Sequence, residues 1–184
     1  MSMRTWIAAS LVLGMVALGA CDPREDRQTT GAPRGTSSAQ DFMIAACHSN
    51  LAEIEAGRLA ESKASGAQVK DFAQHMVEDH SRANGELTSL AEKMKIRLPS
   101  RPEDSSQKEI AKLAGMSGAE FDRKYAEMMV SDHQKAVALF EKQAKDAKND
   151  EVRAWAEKTL PTLQDHLTMA RDLNTKIESL PKAD

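Results

Sequence analysis

The chain of 184 residues has little of three things: aromatic side chains, residues that break helices, and net charge. Aromatic residues make up only 4% of it, and six prolines and nine glycines leave long stretches uninterrupted. The common residues are those that favour helices, such as Ala, Glu, Lys and Leu. The composition therefore predicts an all-α protein.

Charge and cysteine content exclude further classes. The formal net charge is -3 and no basic stripe is present, so the sequence gives no electrostatic basis for binding nucleic acid. The two cysteines are Cys21 and Cys47. With Cys21 lipidated, as argued next, Cys47 is a lone thiol and no disulfide framework exists. There is no Gly-rich phosphate loop, no CxxC and no Ser-His-Asp arrangement, and we predict no catalytic residues.

The N-terminus has the pattern of an export signal. Arg4 precedes an apolar run from Trp6 to Ala20, which is shorter than a typical membrane span. The sequence Leu18-Gly19-Ala20-Cys21 is similar to the bacterial lipobox, in which the cysteine becomes the lipidated first residue of the mature protein. Lipid on Cys21 would anchor the protein to a membrane at the periplasmic face of the cell envelope, with inner or outer membrane left open. The alternative is an ordinary signal peptide with a chance cysteine.

Beyond the signal peptide (residues 1–20), we predict a flexible tether and one helical domain. Residues 21–38 form the tether, because almost nothing in them is apolar. Residues 39–181 form the domain, with Ser38, Ser65, Ser117 and Asp150 as the residues that cap its four long helices. These helices are predicted from apolar residues at helical spacing, over residues 39–63, 66–97, 118–148 and 151–179.

The links between these helices are short, long and short. The long link, residues 98–117, carries two prolines and a short predicted helix over residues 106–113. Two antiparallel hairpins joined by one long crossover are the connectivity of a ferritin-like four-helix bundle. An up-down-up-down bundle with an enlarged loop is the alternative.

A repeated Asp-His pair marks the middle of the domain. The segment Phe72–His80 recurs as Tyr125–His133 with matching Ala, Met, Val, Asp and His, and a third Asp-His ends at His166. Each of the three histidines lies on the apolar stripe of its helix, and Glu53 lies on the corresponding face of the first helix. All four residues follow their predicted caps by fifteen or sixteen positions. They are therefore predicted to meet in one cross-section of the bundle.

Buried imidazoles and a buried carboxylate need partners, and two interpretations supply them. In the first, Glu53, His80, His133 and His166 bind one transition-metal ion (Zn, Fe, Cu or Mn). In the second, the same residues form a purely structural polar layer, and the protein is a non-catalytic envelope or stress-associated protein that acts by contact with a protein partner.

The aspartates that precede the three histidines point about 100° away from them around each helix. We predict that Asp79, Asp132 and Asp165 each accept the second ring N–H of a histidine on the adjacent helix. A solvated flank is the alternative.

The chain from about Asp41 to Leu180 resembles a bacterial family of exported proteins of unknown function, often labelled predicted outer membrane proteins, with a ferritin-like four-helix domain. The matching segments are Asn50–Ala60, Phe72–His80, Met129–Ala136, Leu139–Glu141 and Leu160–Leu167. The resemblance implies a fold and an envelope location, but no activity. Ferritins and di-iron oxygenases carry a Glu-x-x-His motif on two of their helices. No Glu-x-x-His occurs in this chain, so the sequence does not predict a di-iron centre.

Overall fold

A computed structural model describes residues 34–179, and these residues form helices and no strands. The predicted signal peptide, Cys21 and the tether up to residue 33 lie outside the described residues. Within that range, no helix is both long enough and apolar enough to cross a membrane. The prediction of an all-α fold is confirmed. The helices are α1 (Arg34–Lys63), α2 (Ala67–Met94), α3 (Asp104–Ala114), α4 (Gly118–Asp146) and α5 (Asp150–Glu178).

Two apolar clusters give the direction of each helix. The first contains the end of α1, the start of α2, the start of α4 and the end of α5. The second contains the opposite ends of the same four helices. The chain therefore leaves α2 at one end of the bundle and enters α4 at the other, carried by residues 95–117 and α3. This is the long crossover of a ferritin-like bundle, and it excludes the up-down-up-down alternative.

Several helix ends differ from their predicted positions. Helix α1 begins at Arg34, so Ser38 lies inside it and is not its N-cap. Helix α2 ends at Met94 because Lys95 adopts the left-handed conformation, with φ of 56°. The N–H of Ile96 then donates to the carbonyl of Ala91 at 2.9 Å, a bond typical of helix C-termini. Helix α2 thus ends three residues before its predicted end at residue 97, ahead of Pro99.

The observed capping residues differ from the predicted ones except at α4, where Ser117 holds the N-cap position as predicted. Ser117 precedes α4 without a side-chain cap bond, and Asn149 rather than Asp150 caps α5 by accepting the N–H of Val152 at 2.9 Å. At the start of α2, the cap comes from another helix. The carboxylate of Asp122 on α4 accepts the N–H and the hydroxyl of Ser65 at 3.0 and 2.5 Å and the N–H of Gly66 at 2.8 Å. Asp122 therefore fixes the start of α2 to the start of α4.

Helices α1 and α2 pack closely at Gly57. A Cβ atom at this position would lie 2.7 Å from Cγ2 of Val77 and 3.1 Å from the carbonyl oxygen of Ala73. The lack of a side chain lets the two backbones approach one turn away from Glu53. The close approach of α1 to α2 therefore lies beside the part of α1 that carries Glu53.

Candidate metal centre

A polar layer separates the two apolar clusters. It contains Glu53 of α1, His80 of α2, His133 of α4 and His166 of α5, one residue from each long helix. These residues are between 1% and 3% exposed, although none of them is apolar. The layer lies in one cross-section of the bundle, as the positions of these residues in their helices predicted.

The three imidazoles face one another. One nitrogen of each ring lies within 4.8 Å of one nitrogen of each other ring. The ring centroids are 5.3 to 5.5 Å apart, and Nε2 of His80 lies 3.4 Å from Nε2 of His133. The rings cross at angles from 44° to 77° instead of stacking. Three nitrogens from three helices thus surround one point.

The outer nitrogens of two of these rings contact strong acceptors. Nδ1 of His133 donates to the backbone carbonyl of Met129 at 2.9 Å. Nε2 of His166 donates to Oδ2 of Asp79 on α2 at 2.9 Å. Because a neutral imidazole carries one proton, each ring keeps a lone pair on its inner nitrogen. That nitrogen in His166 is Nδ1, which is buried and has no hydrogen-bond partner among residues 34–179.

The third ring follows the same arrangement. Nδ1 of His80 lies 3.0 Å from Oδ1 of Asn50, which accepts its proton. The inner nitrogen is then Nε2, which faces His133. Sequence reasoning missed Asn50, although this amide lies three residues before Glu53 on the same face of α1. The acceptor for His133 is a backbone carbonyl, that of Met129, so no side-chain pattern in the sequence could have indicated it.

Burial keeps the three rings neutral. Loss of hydration lowers the pKa of His133 to about 4 and holds the pKa of His80 well below its usual value. The pKa of His166 is also lowered by burial, against the opposing effect of its hydrogen bond to Asp79. Neutral imidazoles are the form that binds metal ions.

Glu53 lies beside this set and does not belong to it. Its Oε1 is 3.9 Å from Nδ1 of His133, on the outer side of that ring, and its Oε2 is buried without a hydrogen-bond partner in the described range. Burial, followed by the nearby charge of Asp132, raises the pKa of the Glu53 carboxyl well above its usual value. The structure therefore does not bring Glu53 into the cluster that it was predicted to complete.

Only one of the three aspartates contacts a histidine. Asp79 makes the predicted bond across to His166, whereas Asp132 pairs with Lys135 on its own helix at 2.9 Å. Asp165 is exposed and makes no hydrogen bond with the described residues. For Asp132 and Asp165 the prediction is wrong, because His133 uses a carbonyl of its own helix and His80 uses Asn50.

The two remaining histidines lie outside the layer. His48 is partly exposed, and its Nδ1 lies 3.0 Å from the carbonyl oxygen of Arg101. His75 is exposed, with Nδ1 2.8 Å from the carbonyl oxygen of Asp71. Neither ring is directed at the centre.

Three neutral imidazoles from three helices suit a transition-metal ion. Imidazole nitrogen is a common ligand of zinc, copper and iron, and outer N–H groups bonded to acceptors are typical of histidines that bind metal. The unpartnered Nδ1 of His166 fits such an ion, because a buried lone pair is otherwise left without a partner. Three protein ligands also leave room for a further ligand on the ion.

The fold is similar to that of a solved structure, and the sequence matches a known family. A crystal structure from Streptomyces coelicolor, of a protein described as a secreted DUF305 protein, has the same fold with a TM-score of 0.67. It is 12% identical, and the match covers 82% of this chain and 99% of that one. No curated protein matches the sequence. Residues 24–173 match the family described as "Domain of unknown function (DUF4142)". The chain therefore belongs to the DUF4142 family.

Proposed function

We propose that this protein is an exported bacterial protein whose helical bundle binds one transition-metal ion through His80, His133 and His166. The observation that carries the proposal is the set of contacts made by the outer ring nitrogens. Each outer nitrogen contacts an oxygen acceptor, so that three lone pairs are directed at one buried point. Three lone pairs without a proton between them repel one another unless a cation lies among them.

A metal-free arrangement is the competing interpretation. If the Asn50 amide were turned, its Nδ2 would donate to His80, and His80 Nε2 could then donate to His133 Nε2 across 3.4 Å. This arrangement matches a purely structural layer in a protein that acts through a protein partner. It still leaves Nδ1 of His166 buried and unpartnered. A bound cation satisfies all three nitrogens, and for this reason we favour it.

The ligand set also narrows the choice of metal. Carboxylate ligands favour harder ions such as Mn, whereas imidazole suits Zn, Fe and Cu. Glu53, the carboxylate of the layer, does not join the three nitrogens. We therefore favour zinc, iron or copper over manganese.

Metal analysis of the purified protein tests the proposal. The protein is incubated with zinc, iron or copper ions, and the excess is removed. The wild type is expected to retain about one ion per chain. Replacing His80, His133 and His166 by alanine should abolish this. The matched controls are His48→Ala and His75→Ala, which should retain the ion. Glu53→Gln should also retain it, since Glu53 is not a ligand. Metal-free wild type, or equal metal in the wild type and the triple variant, would overturn the proposal.

Export and anchoring are supported by the N-terminal sequence. The apolar run before Cys21 has the pattern of a signal peptide, and the structurally similar Streptomyces protein is described as secreted. We propose that Cys21 carries the lipid that holds the protein at the periplasmic face of the envelope. A mature N-terminus at Cys21 with an acyl mass would be found by mass spectrometry, and an unmodified Cys21 in envelope fractions would exclude the anchor.

A further inference from the structure

A cleft of about 680 Å³ opens between α1, α3 and α4. Five of the side chains that line it carry carboxyl groups, and one, Lys135, carries an ammonium. The carboxyl groups belong to Asp41, Glu53, Glu103, Glu109 and Asp132. Excess negative charge in a concave site attracts cations and raises their local concentration.

Glu53 connects this cleft with the metal centre. It lines the cleft, yet it is only 3% exposed, so it lies at the inner end. Its Oε1 is 3.9 Å from His133, and its Oε2 is buried with no hydrogen-bond partner in the described part of the chain. The hydrogen-bond partners of the three histidines, Asn50, Met129 and Asp79, do not line the cleft, whereas Glu53 does. A buried oxygen without a partner is a point where an incoming cation would gain a ligand.

The cleft does not itself hold an ion at a fixed place. Within residues 34–179, the side chains close enough together to bind a metal are the three histidines, and no set of cleft carboxylates meets that criterion. Glu103 and Glu109 are both exposed, while Asp132 is paired with Lys135. Dispersed carboxylates attract a cation without trapping it, which suits a passage better than a storage site.

We infer that this acidic cleft is the entrance through which the metal cation reaches the three-histidine centre, with Glu53 as the last oxygen ligand before His133. The inference rests on the proposed function. The histidines are almost completely buried, so an ion needs a path inward. The cleft supplies negative charge at the surface and, at its inner end, Glu53, whose Oε2 is buried and has no hydrogen-bond partner within residues 34–179.

The rate of metal uptake tests the entrance. Co²⁺ serves as the probe, since its visible absorption reports the ligands that it acquires. The double variant Glu103→Gln/Glu109→Gln should slow uptake roughly threefold or more at low ionic strength, and high salt should remove the difference, because charged clefts change association rates by about 10- to 1,000-fold. Lys135→Gln should speed uptake. The final absorbance per protein should be unchanged in both.

The matched control is Glu92→Gln/Glu157→Gln, which removes two exposed glutamates on α2 and α5. Neither residue lines the cleft. If the two double variants take up cobalt at the same rate, the proposal that the cleft is the entrance is wrong. This holds whether both rates are reduced or both equal that of the wild type. Loss of bound cobalt at equilibrium in the cleft variant would also overturn it, because the glutamates would then be ligands. If the wild type takes up no cobalt, the proposed metal site itself fails.

Discussion

The lone pair of each buried imidazole is free only because its other nitrogen has an acceptor. The three acceptors differ: an amide oxygen for His80, a backbone carbonyl for His133 and a carboxylate for His166. The carboxylate has the largest effect, because a charged acceptor makes the ring a stronger ligand. Burial raises the pKa of Asp79, but hydrogen bonds from His166 and Arg82 outweigh this and hold the pKa below its usual value. Asp79 is therefore ionised when it orients His166.

Removing that charge should weaken metal binding. In Asp79→Asn the partner of His166 is neutral, and we expect the affinity for zinc to fall roughly tenfold, within the range of about 10- to 100-fold seen for groups that orient metal ligands. Competition with a chromogenic chelator measures this. Asp132→Asn and Asp165→Asn are the matched controls, since neither aspartate contacts a histidine. Wild-type affinity in Asp79→Asn would contradict the role of Asp79.

The sequence predicted where these residues lie better than what they contact. Helical period and distance from the helix ends were enough to bring His80, His133 and His166 together. Glu53 lies at the same level, but its carboxylate reaches the outer side of His133. Asn50, one turn earlier on α1, contacts His80 instead. The position of a residue along the bundle axis follows from its distance to the helix end in the sequence. The direction of its side chain depends on how the helices pack against one another.

At the scale of the helices, Asp122 stabilises the start of α2 from a different hairpin. Its carboxylate is 6% exposed and accepts two backbone N–H groups and a hydroxyl. Asp122→Ala leaves these donors without an acceptor, and we expect a loss of about 1–3 kcal/mol in the free energy of unfolding. Urea denaturation measures the loss.

Asp150→Ala is the control for this variant. Asp150 was the predicted cap of α5, but its side chain is 86% exposed and pairs only with Arg153 among the described residues. The free energy of unfolding should change by less than about 0.5 kcal/mol. A loss in this variant as large as in Asp122→Ala would contradict the assignment of the two roles.

Helix number, order and connectivity could all be predicted from apolar spacing and the lengths of the links. The caps could not, for a physical reason. A local motif such as Ser65-x-x-Gln68 competes with any carboxylate that the fold brings near. Asp122, 57 residues from Ser65, is buried at the same place and takes the amides. Local sequence cannot reveal a partner that only the packing of α4 against the α1–α2 hairpin brings close.

At the scale of the whole molecule, the titratable groups of the polar layer make the stability of the fold depend on pH. All four long helices meet at it, between two apolar clusters. A buried histidine with a lowered pKa stays neutral in the folded protein, while in the unfolded chain it binds a proton below pH 6.5. The buried Glu53, whose pKa is raised, has the opposite effect: its folded form keeps a proton that the unfolded chain loses above about pH 4.5.

In metal-free protein, these opposing effects predict the direction in which the free energy of unfolding changes with pH. For His133, the stabilising contribution is present above pH 6.5 and is lost as the pH falls to about 4, because only the unfolded chain gains a proton in that window. In the wild type, Glu53 offsets part of this loss.

Glu53→Gln should therefore lose more stability than the wild type between pH 6.5 and 4.5, as measured by urea denaturation at each pH. The comparison cancels the titration of surface carboxylates, which the two proteins share. His75→Ala, which removes an exposed ring outside the layer, should follow the wild type across the same range. Parallel curves for Glu53→Gln and the wild type would mean that the carboxyl of Glu53 loses its proton in the folded protein as readily as in the unfolded chain. Its burial beside His133 would then have no influence on the acid stability of the bundle.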